Sequence, residues 1–109
     1  MFDIQIYRTD SGKEPFVEWQ NELDIMTQAR IDARLRRICL SDNLGDYKVI
    51  GDGVFELRFN FGPGYRIYFG KIRNEIILLL LGGSKGSQER DIKKAKQYWR
   101  DHISGNTRR

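Results

Sequence analysis

The sequence predicts a single α+β domain with the element order β-α-α-β-β-β-α. Apolar residues alternate with polar ones in two stretches, residues 2–7 and 54–70. They recur at helical spacing in residues 16–40 and 92–103, and one unbroken apolar run, Ile76–Leu81, precedes the last of these. No repeat, linker or low-complexity block divides the 109 residues, a length that suits one domain.

Each element follows from its residues. Phe2, Ile4 and Ile6 alternate with Asp3, Gln5 and Tyr7, which reads as a half-buried first strand. After the loop "TDSGKEP", Pro15 is suited to the first turn of a helix carrying Phe16, Trp19 and Leu23. A second helix is expected from near Asp24 or Thr27 to about Leu40, with Ile31, Leu35 and Ile38 as its apolar stripe. Arg30, Arg34 and Arg37 form an equally regular basic stripe, either a solvated face or a contact for nucleic acid or a partner. "SDNLGDYKVIGDG" reads as turn-rich and irregular. Phe55, Leu57, Phe59 and Phe61 then alternate with Val54, Glu56, Arg58 and Asn60. Beyond the "FGPG" turn, Tyr65, Ile67 and Phe69 alternate with Arg66, Tyr68 and Gly70, completing a hairpin. A turn near Arg73-Asn74 leads into "EIILLLL", which fits a strand buried on both faces and therefore central. "GGSKGSQ" breaks the pattern as a mobile loop. Ser87 is placed to cap a last helix with Glu89 and Asp91 in its first turn and Ile92, Ala95, Trp99 and Ile103 facing inward. Residues 105–109 read as a disordered tail.

Composition narrows the function classes. A single cysteine, Cys39, excludes an intramolecular disulfide and suits a reducing cytoplasm. The N-terminus has an acid at position 3 and no long apolar run, unlike a signal peptide. No run approaches the roughly 20 apolar residues that cross a bilayer, so a cytoplasmic protein without membrane association is expected. The net charge of +4 is unevenly spread: residues 1–26 hold Arg8 and Lys13 against Asp3, Asp10, Glu14, Glu18, Glu22 and Asp24, leaving the rest of the chain strongly basic. A basic body of this kind suits a polyanionic partner, with RNA, DNA and an acidic protein all admissible.

One histidine and one cysteine cannot assemble the usual zinc sites, and the Gly-rich "GPGYR" and "GGSKGSQ" lack the P-loop pattern. No metal or cofactor is expected. A histidine-activated nucleophile would have to use His102, near the C-terminal end. What remains is a cationic surface. If Leu57 and Ile67 face the core, parity places Arg58, Arg66, Glu56 and Tyr68 together on the other face. Arginines opposed across a ladder repel unless an anion settles between them. Lys85 reaches the same region from its loop, and Asp91 lies one turn into the following helix. Guanidinium forks bind phosphate, Lys adds a point charge, and Tyr stacks on a base or donates its hydroxyl. The plainer reading is a solvated face with Arg58 paired to Glu56 or Glu75.

"DGVFELRFNFGPGYRIYFG", followed by "IILLLLGGSKGSQERDIKKAKQYW", resembles the phage-derived, HigB-type branch of the RelE/ParE toxins, the toxin halves of bacterial type II toxin–antitoxin pairs. The resemblance runs from the first strand through "EPFVEWQNEL" to the last helix. It implies a RelE/ParE-like fold, an antiparallel sheet packed on an N-terminal helical hairpin. It also implies ribosome-dependent, metal-independent cleavage of mRNA in the A site by attack of a 2′-OH on the adjacent phosphate. By position, Arg66 in "GYR" matches the family's phosphate-binding arginine, Arg58 a basic residue of the preceding strand, and Lys85 the basic residue after the central strand. Asp91 falls where members carry a Tyr or an acid near the scissile bond. The catalytic set expected is thus Arg66, Lys85, Arg58, Tyr68 and Asp91, with Arg30, Arg34, Arg37 and Lys93 as RNA contacts.

Two departures stand out. Glu56 replaces a second lysine, and the C-terminal general acid has only the imperfect counterparts Asp91, Tyr98 and His102. The implied partners are a HigA-like helix-turn-helix antitoxin, operator DNA through that complex alone, and mRNA on the ribosome. Alternatives are a ParE-like DNA gyrase inhibitor and a catalytically inactive, partner-binding relative, which Glu56 favours. The nuclease reading requires Arg58, Arg66 and Lys85 to gather on one side of the sheet without each locking onto a carboxylate.

Overall fold

The computed structural model describes residues 2–107. The apolar run after Glu75 extends into a nine-residue strand, β5 (Ile76–Ser84), flanked on both edges by other strands. Its neighbours are β1 (Asp3–Ile6), which runs parallel to it, and β4 (Tyr65–Ile72), which runs antiparallel. β3 (Val54–Arg58) and β2 (Tyr47–Gly51) continue the sheet in the order β1-β5-β4-β3-β2. The molecule is therefore α+β with a five-stranded mixed sheet, not the wholly antiparallel one expected. Its element order also gains a strand, becoming β-α-α-β-β-β-β-α. The extra strand, β2, lies in the stretch read as irregular. It is a short edge strand whose first three residues are exposed, so little alternation marks it.

Parity along the strands sorts two cores. Leu57, Ile67, Phe69, Ile77 and Leu79 meet Phe16 of helix α1 (Pro15–Asn21) and Ile31, Leu35 and Ile38 of helix α2 (Ile25–Ser41). On the other face, Val54, Tyr68, Leu78 and Leu80 meet Tyr7 and the Ala95 and Trp99 of helix α3 (Gln88–Thr107). Pro15 opens α1 as expected. Asp24 caps α2, its carboxylate accepting from the Thr27 backbone N–H at 3.1 Å. α2 ends where Asp42 turns left-handed, at φ 61°. Arg73 and Asn74, both at positive φ, make the tight β4–β5 hairpin that their sequence suggested.

"GGSKGSQ" is not the loop it was expected to be. β5 continues through Gly82, Gly83 and Ser84, and a short 3-10 turn, Lys85–Ser87, leads straight into α3. The two glycines are explained by close approach from opposite sides. A Cβ on Gly82 would lie 2.1 Å from the Trp19 ring of α1, and one on Gly83 would lie 1.9 Å from the Asp91 carboxylate of α3. α3 also runs through Gly105 to Thr107, where the start of a tail was expected, and residues 108–109 lie outside the described ones. Among the described residues no helix is long and apolar enough to cross a membrane.

Candidate phosphate-binding rim

Register places Arg58 directly opposite Arg66, and Glu56 opposite Tyr68, as parity required. The four share a face, but that face is not open. α3 lies across it, and both Glu56 and Tyr68 are 0% exposed. The expected catalytic set therefore divides.

Arg66 and Lys85 come together. Gly64, at φ +75°, closes the "GPG" turn in a backbone conformation that disfavours side chains. A Cβ there would have Lys85 Cβ at 3.3 Å and the Arg66 Nη1 and Nη2 atoms at 3.7 and 4.0 Å. Lys85 is exposed, while the Arg66 side chain is only 13% exposed. Behind Arg66 lies Glu56, its Oε1 3.9 Å from Arg66 Nε. That separation is an ion pair but exceeds a hydrogen bond. Glu56 Oε2 accepts a 2.8 Å bond from Gln88 Nε2 at the start of α3. Arg66 Nη1 donates to its own Tyr65 carbonyl at 3.3 Å. Arg66 is thus balanced in charge but not satisfied in hydrogen bonding: Nε is buried and unpartnered among the described residues.

Arg58 departs from the site. Its Nε sits 3.5 Å from Asp46 Oδ1, both side chains well exposed, because the chain leading into β2 folds back over the end of β3. Arg34 holds that fold-back in place. Its guanidinium donates to the carbonyls of Arg58, Leu44 and Asp46, the last two at 2.8 Å, and lies over the Phe59 ring. Burial pushes the Arg34 pKa down, partly offset by Asp46. Arg34 is a structural clamp, not the RNA contact expected.

Tyr68 does not stack on a base. Its ring is core, and its hydroxyl lies beside Glu56 without a properly formed hydrogen bond. Burial, then the negative charges of Glu56 and Asp91, push its pKa up, so it remains a neutral phenol. Asp91 is 6% exposed and accepts a short hydrogen bond from the Ser87 hydroxyl, which itself accepts from the Ser84 backbone N–H at 3.2 Å. Pressed against Gly83, this carboxylate ties α3 to β5 and is not presented to a substrate. Tyr98 and His102 pack with Tyr7 farther along α3, His102 being 11 residues or about 16 Å of helix beyond Asp91, so neither supplies the missing acid.

Lys93 is exposed and lines a shallow groove with Gly86, Ser87, Glu89 and Arg90, beside the turn that carries Lys85. Arg37 is exposed on α2. Arg30, also on α2, lies over the Phe61 ring at 3.6 Å from its centroid. The sequence reading missed Gln88, Gly64 and Gly83. A buried Glu56 demands a donor, and that demand points to Gln88 only once α3 is known to cover the sheet.

No family model matches the chain. It is 42% identical over 82 residues to an uncharacterized protein of Haemophilus influenzae, a match covering 74% of this chain and 82% of that protein. The chain and that Haemophilus protein belong to one family.

Proposed function

We propose that this chain is the toxin of a type II toxin–antitoxin pair, of the RelE/ParE superfamily in its HigB-type branch, and that it cleaves mRNA on the ribosome. The observation that carries the reading is the approach of the Arg66 guanidinium and the Lys85 side chain to the same glycine, Gly64, with Glu56 behind Arg66 facing its buried, unpartnered Nε. The motif resemblance along "GPGYR-Y" and "LLGG-K--Q--DI" supports the same assignment. Attack of a 2′-OH on the adjacent phosphate builds charge at phosphorus, and the cations of Arg66 and Lys85 stabilise it. Glu56 acts as the positioning residue for Arg66, and Lys85 adds an exposed point charge. The three-cation requirement is met only in part: Arg58 is paired with Asp46 and leaves the scheme, and Arg66 faces Glu56, so the phosphate falls to Arg66 and Lys85 alone. Tyr68 and Asp91 are buried and have no part in it. With no suitably placed acid or base, the rate rests on electrostatics and on alignment of the message by the ribosome. A HigA-like helix-turn-helix antitoxin is the proposed partner, operator DNA is bound through that complex, and the cytoplasm is the site of action.

A second reading has its own support. Arg58 and Arg66 each face a carboxylate, Asp46 and Glu56, which lowers the potential available to an anion. That favours a non-cleaving relative, acting by partner binding or, as a ParE-like protein does, on DNA gyrase. Mapping mRNA 5′ ends after induction separates the readings. New ends within codons that vanish in a folded Arg66→Ala variant support cleavage. Intact mRNA with an SOS response supports gyrase, and intact mRNA with normal growth supports the inactive relative.

A further inference from the structure

The "FGPG" turn carries a second feature that the cleavage scheme does not use. Arg30, on α2, places its guanidinium over the Phe61 ring, its Cζ 3.6 Å from the centroid. Phe61 is held by an aromatic chain behind it: its edge meets Phe59 at 6.0 Å and Tyr65 at 5.5 Å, and Tyr65 in turn meets Trp19 at 6.1 Å. Arg30 is exposed and makes no ion pair or hydrogen bond among the described residues. Its outer planar face and its N–H edge are therefore both free. Arg34, one turn on, makes the corresponding stack on Phe59 but spends its donors on backbone carbonyls. The contrast identifies Arg30 as the member of the pair available for a ligand.

This stack belongs to the same turn as the phosphate-binding rim. The Gly64 N–H donates to the Phe61 carbonyl at 3.2 Å, so the residue under the stack and the glycine at the Arg66–Lys85 meeting point are tied together. Planar guanidinium groups are surfaces on which unpaired RNA bases stack, and a cation fixed over an aromatic ring has little orientational freedom left to lose on binding.

We propose that Arg30 on Phe61 is a base-stacking platform for a single-stranded RNA nucleotide next to the phosphate held at Arg66 and Lys85. The proposal rests on the RNA reading above and adds a nucleobase subsite to it. The platform reads the flat face of a base, not its hydrogen-bonding edge, so it takes all four bases and prefers the larger purines.

The test uses the intact protein with a labelled single-stranded RNA hexamer and a matched hexamer whose central riboses lack bases. Arg30→Lys keeps the charge and removes the plane. It should weaken binding of the base-bearing oligomer roughly ten-fold while leaving the abasic one within about two-fold, and Phe61→Leu should do the same. Equal losses on both oligomers, no loss on either, or no binding of either by the intact protein would overturn the platform. mRNA 5′-end mapping on the same variants separates the two proposals. A base-selective loss in a protein that makes no Arg66-dependent cuts upholds the platform and rejects the nuclease. Arg66-dependent cutting with base-independent binding does the reverse.

Discussion

Between the sheet and the α1–α2 pair the fully buried side chains are apolar, among them Ile31, Leu35, Ile38, Leu57, Ile67 and Phe69, with the half-buried Arg34 clamp at their margin. On the α3 face, Leu78, Leu80 and Trp99 share their layer with Glu56 and Asp91, the two buried charged residues among those described. One face is assembled for cohesion. The other gives up part of that cohesion to hold polar groups at fixed positions near the start of α3, and there Arg66 is aimed. Charges removed from water cost free energy that pairing only partly offsets; Asp91 is used to tie α3 to β5, and Glu56 stands behind Arg66.

The largest effect that would blur this contrast is loss of the apolar part of the α3 face. Trp99→Ala removes the indole packed across Gly70 and should cost about 3–5 kcal/mol, read by denaturant unfolding. Ile31→Ala on the opposite face should cost about 2–5 kcal/mol by the same mechanism. If Trp99→Ala is much the milder, α3 is a loosely held cover and the polar cluster beneath it is not rigid.

Glu56→Gln sharpens the comparison. Arg66 then loses its countercharge, and stability should fall by about 1–3 kcal/mol in unfolding experiments. RNA binding by the folded variant should strengthen, since a carboxylate no longer competes with phosphate. Cleavage should fall at the same time, since the guanidinium loses the carboxylate that orients it; stronger binding with undiminished cleavage would show that Glu56 only neutralises Arg66.

Tyr68→Phe should be neutral or slightly stabilising at neutral pH, because the hydroxyl it removes makes no hydrogen bond. Its pH behaviour is distinct. The folded-state pKa is raised, so the contribution is fully present below the unfolded tyrosine value near 10 and is lost as pH climbs above it. Thermal melts should therefore show Tyr68→Phe resisting alkaline unfolding above about pH 10 better than the parent, by a larger margin than any it has at pH 7. The smallest change belongs to Arg58→Ala. Its pairing with Asp46 is solvent-exposed and should contribute less than about 1 kcal/mol in a double-mutant cycle.

Much of this contrast was legible in the sequence. Alternation from Val54 to Gly70 fixed both strands, their facing arginines and the shared parity of Glu56, Arg58, Arg66 and Tyr68. What parity cannot say is what covers a face. The burial of Tyr68 under α3 and the departure of Arg58 toward Asp46 depend on helix docking and on the Arg34 clamp, contacts between residues far apart in sequence. β2 escaped because Tyr47, Lys48 and Val49 lie exposed on an edge, and the parallel pairing of β1 with β5 leaves no local trace at all. The double glycine was read as a break, yet each glycine marks where Trp19 or Asp91 presses on the sheet.

The most direct test is the rate of mRNA cleavage in a reconstituted translation reaction, comparing the intact chain with Arg66→Lys. Lysine keeps the charge but not the fork that Glu56 orients, so cleavage should fall by about 10²-fold or more while the melting temperature stays close to the parent's. Equal cleavage by both proteins, or none by the intact chain, would contradict the claim that an aimed guanidinium at this rim handles the phosphate.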